Sequence, residues 1–145
     1  MAAFLIDSNI LIDVATADHS WMAWSVRALS YADRSGGAAI NPLIFAEVST
    51  DYDTVEAIEA ALPTDMVQRL ALPYAAAFLA GKAFVQYRRD GGQRRSPLPD
   101  FYIGAHAAIA GLSLVTRDPR RYRRHFPRLA VIAPDTHFQE LTPQI

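Results

Sequence analysis

Short apolar runs that stop at polar residues alternate along this chain with stretches whose apolar positions recur every three or four residues. Ala3–Ile6 has the pattern of a buried strand; it ends at Asp7, with a turn at Asp7-Ser8-Asn9. Ile10–Val14 begins a short helix, with Ser8 or Asn9 as its cap. From His19 to Asp33, Trp21, Trp24, Ala28, Leu29 and Ala32 fall on or near one helical face, and Ser35-Gly36-Gly37 breaks the pattern. Ala38–Ile40 reads as a second strand. Asn41-Pro42 then opens a helix, with Asn as N-cap and Pro at the first helical position. Asp51–Leu62 is acidic and weakly helical, and Met66–Leu72 fits neither period cleanly. Pro73 precedes a long helix from Tyr74 to about Arg89, closed by Gly91-Gly92, and Gln93–Pro99 reads as a loop. A further helix, Asp100–Ala110, starts behind Pro99 and stops at Gly111. Leu112–Val115 and Ala130–Ile132 are the third and fourth strand patterns, and Asp118-Pro119 opens a basic turn or short helix between them. No repeat, linker or boundary divides the chain, so residues 1–145 are expected to form one domain. Strands alternating with helices predict an α/β fold with a parallel sheet covered on both faces.

Composition narrows the chemistry. The chain has no cysteine, which excludes disulfides, thiolate zinc sites and cysteine nucleophiles. With 51% apolar and 20% charged residues over 145 positions it can build a core. The longest uncharged stretch of note, 101–115, holds His106, Ser113 and two glycines and falls short of the roughly 20 apolar residues of a bilayer span. The start of the chain lacks a basic n-region and is not expected to be a secretory signal, so a soluble, cytoplasmic protein is expected.

The net charge of −1 conceals a strong asymmetry. Residues 1–65 carry ten acids and two arginines, net −8; residues 66–145 carry five acids and twelve bases, net +7. Thirteen of the fourteen basic residues are arginine, whose planar fork suits bidentate contact with phosphate. An anionic partner for the basic half is therefore expected, although an arginine-rich surface can also be merely solvated. Two groups stand out: Arg117, Arg120, Arg121, Arg123 and Arg124 around Asp118, and Arg88, Arg89, Arg94 and Arg95 ahead of Asp100.

In open α/β sheets, sites form at the carboxyl ends of strands. Asp7 directly follows the first strand, Asp118 follows the strand ending at Val115, and Glu47 lies in the helix after Ala38–Ile40. Asp100 stands in the first turn of a helix, where the dipole favours a carboxylate. Each alone is more simply a cap, a turn former or a solvent-facing charge. Brought together, they could not all stay ionised unless cations entered, and oxygen-only ligands select Mg²⁺ or Mn²⁺ over zinc. Such a site suits phosphodiester hydrolysis by metal-activated water.

Four segments carry a resemblance. Asp7-Ser8-Asn9-Ile10-Leu11-Ile12-Asp13, Pro42–Val48 with Glu47, Leu98–Ala107 with Asp100, and Leu114-Val115-Thr116-Arg117-Asp118 resemble, in order and spacing, the motifs of PIN-domain ribonucleases, in particular VapC-type toxins of bacterial toxin–antitoxin pairs. The resemblance implies a three-layer α/β/α sandwich with a short, mainly parallel central sheet. It also implies that Asp7, Glu47, Asp100 and Asp118 hold one or two Mg²⁺ or Mn²⁺ ions for endoribonuclease chemistry. By the same resemblance, Thr116 assists the cluster and Asn9 orients Asp7. The implied partners are an RNA substrate, an antitoxin protein that blocks the acidic cleft, and a second copy in a homodimer.

The remaining residues are read more plainly. His106, in an Ala-rich helix, is expected to be a satisfied core residue, and Tyr122 and Phe126 to anchor their segment to the core, with base stacking the alternative. Trp21 and Trp24 are core or dimer contacts. No pair among His19, His106, His125 and His137 has HxxxH spacing, and no glycine pair has P-loop context. Two competing readings remain: a non-catalytic nucleic-acid or protein-binding module on the same fold, and a phosphatase of the haloacid-dehalogenase type. The latter wants an aspartate where Asn9 stands and a supporting lysine, for which only Lys82 exists.

Overall fold

The computed structural model describes residues 1–95 and 98–143. Two expectations from the sequence reach past these bounds: the loop over Gln93–Pro99 and the single unit over 1–145 each include positions outside the described residues. Five short strands, β1 (Phe4–Ile6), β2 (Ala38–Ile40), β3 (Val67–Arg69), β4 (Ser113–Val115) and β5 (Val131–Ile132), form one parallel sheet in the order β3-β2-β1-β4-β5. Seven helices among the described residues surround it: α1 (Ser8–Ala15), α2 (Met22–Arg34), α3 (Pro42–Ser49), α4 (Val55–Ala61), α5 (Tyr74–Arg89), α6 (Pro99–Ala110) and α7 (Arg120–His125). This is the mixed α/β architecture with a parallel sheet that the alternation predicts.

The central strands β1 and β2 are buried along their whole length, as parallel strands covered on both faces must be. In register, Leu5 pairs with Ala39 on one side and Leu114 on the other, and Ile6 pairs with Val115. The main core gathers Leu5, Ile6, Ile40, Ile44, Ile103 and Leu114 around the sheet, with Trp24 of α2 fully buried. The indole N–H of Trp24 donates to the His137 carbonyl at 2.8 Å, which settles that tryptophan as core. A second cluster lies between α5 and α6, where Ala76, Ala80 and Ala83 face Phe101, Ala105 and Phe126. The alanines let the two helices approach closely.

Helix boundaries follow local chemistry. Asn41 caps α3 by accepting the Ile44 N–H at 3.0 Å with Pro42 at the first turn, and Gly111 ends α6 with φ at 68°. α1 departs from expectation. It begins at Ser8 and its cap is Asp7, which accepts the Ser8 N–H at 2.8 Å; Ser8 and Asn9 turn their side chains elsewhere. The ambiguous 66–72 stretch contains an edge strand, β3, with one buried residue and two exposed ones. Among the described residues, no helix is long and apolar enough to cross a membrane.

From β1 the chain crosses to β2 and β3 on one side, while β4 and β5 lie on the other. The strand order therefore reverses at the carboxyl ends of β1 and β4, where an open α/β sheet leaves a crevice. Asp7 and Thr116 are the residues that directly follow those two strands.

Candidate active site at the sheet switch point

Asp7 is 4% exposed, and both of its oxygens are engaged. Its Oδ1 caps α1. Its Oδ2 accepts from the Thr116 hydroxyl at 2.8 Å, from the Tyr122 hydroxyl at 3.0 Å and more distantly from Asn9 Nδ2 at 3.4 Å. Asn9 Nδ2 also donates to Thr116 Oγ1 at 3.1 Å, and Thr116 Oγ1 accepts the Asp118 backbone N–H at 3.1 Å. The two residues that the resemblance placed around Asp7 thus stand against it, and they tie the end of β1 to the turn after β4.

Two of the other acids, Glu47 and Asp100, are joined to Asp7 through hydroxyl groups. Ser8 Oγ lies 3.5 Å from Asp7 Oδ1 and donates to Glu47 Oε1 at 2.9 Å. Tyr122 Oη lies 3.0 Å from Asp7 Oδ2 and 3.2 Å from Asp100 Oδ1. Asp118 is exposed and lines, with Asp100, an open cleft of about 400 Å³. Arg120, Arg121, Arg124 and the rings of Tyr87 and His125 complete that cleft. Asn41, at the start of the helix that carries Glu47, donates from Nδ2 to His106 Nδ1 of α6 at 3.0 Å. His106 is therefore a satisfied core residue, and burial lowers its pKa.

The electrostatics are those of crowded carboxylates. Burial raises the pKa of Asp7 to about 6, and the charge of Asp100 adds to the effect against the hydrogen bonds from Thr116, Tyr122 and Ser8. Burial likewise raises Glu47, again with a contribution from Asp100 and against the Ser8 hydrogen bond. Burial and the two neighbouring carboxylates push Tyr122 well above its ordinary value, so it stays a neutral hydroxyl. Among the described residues, the one ion pair made by these four acids is Arg121 Nη1 to Asp100 Oδ2 at 3.1 Å, and it is partly exposed.

An all-oxygen set in which burial and a neighbouring carboxylate raise the pKa of Asp7 and Glu47 has the donor chemistry of a hard divalent ion. The spacing is looser than a closed coordination shell. Among the described residues, no three acidic or histidine side chains stand close enough together to hold a metal ion as placed.

The arginines divide. Arg120, Arg121 and Arg124 line the cleft. Arg117 does not; its guanidinium grips Asp13 through Nε at 2.7 Å and Nη2 at 3.1 Å and lies over the Trp21 ring. Asp13 is 1% exposed and also accepts from Ser25 Oγ at 2.8 Å. Arg123 is paired bidentately with Asp135 at 2.6 and 2.9 Å. Arg94 and Arg95 are exposed, and the Arg94 carbonyl accepts from Arg88. Lys82 lies on α5 over Phe78, and Asn9 bonds to Thr116, so the parts a haloacid-dehalogenase-type phosphatase needs are not assembled. The sequence pattern assigned no site role to Ser8 or Asp13, and it read Tyr122 as an anchor or a base-stacking ring, where the structure puts its hydroxyl between two acids. Tyr122 offered one signal, a phenol in the basic helix just after Asp118.

The PIN domain family model matches residues 4–129, and the chain belongs to that family. No curated protein sequence matches it significantly. Solved structures with the same fold include a chain of VapBC2 from Rickettsia felis, bound to a DNA fragment from its promoter; TM-score 0.69, 16% identity, covering 90% of this chain and 97% of that one. VapBC-1 from nontypeable Haemophilus influenzae gives 0.67 at 16% identity over 90% and 96%. FitAcB from Neisseria gonorrhoeae gives 0.67 at 15% identity over 92% and 99%. At these identities the likeness is one of fold.

Proposed function

We propose that this PIN-domain chain is a Mg²⁺- or Mn²⁺-dependent endoribonuclease and the toxin of a toxin–antitoxin pair. The observation that carries the reading is the linkage of Asp7, Glu47 and Asp100 through single hydroxyls at the sheet switch point, where burial and, to a lesser extent, the Asp100 charge raise the pKa of Asp7 and Glu47. Family membership supports it, as do fold relatives that are toxin–antitoxin complexes, as in Klebsiella pneumoniae.

In this reading, Asp7, Glu47, Asp100 and Asp118 would hold one or two divalent ions. Such an ion supplies Lewis-acid activation of water and neutralises charge on a phosphodiester during in-line displacement. The chain's own residues do the rest. Thr116 and Asn9 hold Asp7 in one orientation. Arg120, Arg121 and Arg124 grip backbone phosphates beside Asp100 and Asp118. Hydrolysis leaves a 5′-phosphate and a 3′-hydroxyl. An antitoxin that lays a basic side chain over the acids would take the place Arg121 has on Asp100. The working form is a cytoplasmic homodimer of one nuclease domain per chain.

The test is cleavage of labelled RNA by the purified chain with Mg²⁺ or Mn²⁺. Asp100→Asn is expected to lower the rate by about 100-fold or more, the scale of removing one charge-stabilising group, while the circular dichroism spectrum is kept. Undiminished cleavage in EDTA, or by that variant, would overturn the reading.

A further inference from the structure

Tyr122 is placed more carefully than a core anchor needs to be. It is 1% exposed, and its single hydroxyl proton faces two carboxylate oxygens, at 3.0 Å on Asp7 and 3.2 Å on Asp100. Those acids come from different elements, the end of β1 and the first turn of α6, and among the described residues no backbone hydrogen bond joins them. A phenylalanine would fill the same space. Buried phenols usually bring their hydroxyl to a hydrogen-bond partner, and here there are two. One proton serving two acceptors ties the acids together instead of satisfying either alone.

A second feature prepares this contact. Gly104 lies one turn after Asp100 inside α6, where glycine weakens a helix relative to alanine. A Cβ there would come within 2.5 Å of the Phe126 ring and 3.0 Å of the Tyr122 ring. The bare backbone therefore seats both rings of the α7 region against α6 and delivers the phenol between the two carboxylates.

We infer that Tyr122 is the positioning residue of the acidic site. Its hydroxyl, seated by Gly104, sets the separation and orientation of Asp7 and Asp100 and so the affinity of the site for a divalent ion. The inference rests on the nuclease reading above, and its test separates the two. Hydrogen-bonding partners of metal-ligating carboxylates govern affinity by orienting them.

The experiment is Mn²⁺ binding to the full chain without RNA, read by electron paramagnetic resonance of the free ion at fixed pH. Tyr122→Phe keeps the ring and its packing. It is expected to weaken Mn²⁺ binding about 10-fold, at the lower end for loss of such a partner, with the circular dichroism spectrum of the folded chain kept. Gly104→Ala, which displaces the ring with its hydroxyl intact, should produce a similar loss, and the double variant should be no weaker than Gly104→Ala alone. Wild-type Mn²⁺ affinity in Tyr122→Phe, or additive losses in the double variant, would overturn the inference while leaving the nuclease reading standing. Failure of the wild-type chain to bind Mn²⁺ would remove both.

Discussion

Replacing Asp7 by asparagine should make the metal-free protein more stable at pH 8 and less stable near pH 4. Burial lifts the Asp7 pKa from an ordinary 3.8 to about 6. At about 1.4 kcal/mol per pH unit of displacement, ionising it in the fold costs on the order of 3 kcal/mol. The sign follows from proton linkage. The folded chain holds the proton more tightly than the unfolded one, so the penalty is absent below about pH 4, grows as pH rises, and is full above about pH 6. Asparagine carries no such penalty, but its amide is imperfect. Its oxygen can keep the Ser8 N–H and the Tyr122 hydroxyl can rotate to accept, whereas Asn9 Nδ2 would face a second donor, and so would Thr116 Oγ1, which already accepts from Asn9 and from the Asp118 N–H. The two mismatches cost about 2 kcal/mol together. The variant should therefore trail the wild type by about 2 kcal/mol near pH 4 and lead it by about 1 kcal/mol at pH 8. Urea unfolding in EDTA across that range measures the difference directly. Taking the difference cancels His106, whose burial-lowered pKa works against stability as pH falls through the ordinary histidine range. A gap independent of pH, or a variant less stable than wild type at pH 8, would refute the account of a strained carboxylate. Added Mn²⁺ should stabilise only the wild type.

Two further outcomes follow from the division among the arginines. Arg117→Ala strips a buried carboxylate of its cation and should cost about 3 kcal/mol in urea unfolding, at the lower end for breaking a buried pair because the guanidinium is partly exposed. The salt dependence of RNA binding should not change in that variant, since the side chain is committed to Asp13; a reduced slope would place Arg117 on the substrate after all. Removing Arg120 and Arg121 together should instead make the fall of log affinity with log salt shallower by about 0.7 for each phosphate left without its arginine. Fluorescence anisotropy on single-stranded RNA measures that slope, and an unchanged value would take both side chains off the substrate path along the cleft.

These contrasts mark where local sequence stops being informative. Asn41-Pro42 and Gly111 announced a helix start and a helix end, because capping depends on groups within a few residues. The apolar runs ending at Ile6, Ile40 and Val115 announced buried strands for the same kind of reason. The four acids were legible by placement, since each follows a strand or lies in a helix that does, or opens a helix. β3 was not, because an edge strand of three residues with one buried position has no period to detect. Nor could local pattern show that Asp7 itself caps α1, freeing Ser8 for Glu47 and Asn9 for Thr116.

Nearest neighbours and short periods were enough to write the layered α/β plan, most helix boundaries and the places of the candidate acids. Which side chains stand between those acids, and which arginines reach the open cleft, depended on how distant segments pack. Arg117 and Arg121 are indistinguishable in a basic run, yet one meets the buried carboxylate of Asp13 and the other Asp100 at the cleft. That choice is made by hydrogen bonds between residues far apart in the chain, and no local pattern encodes them.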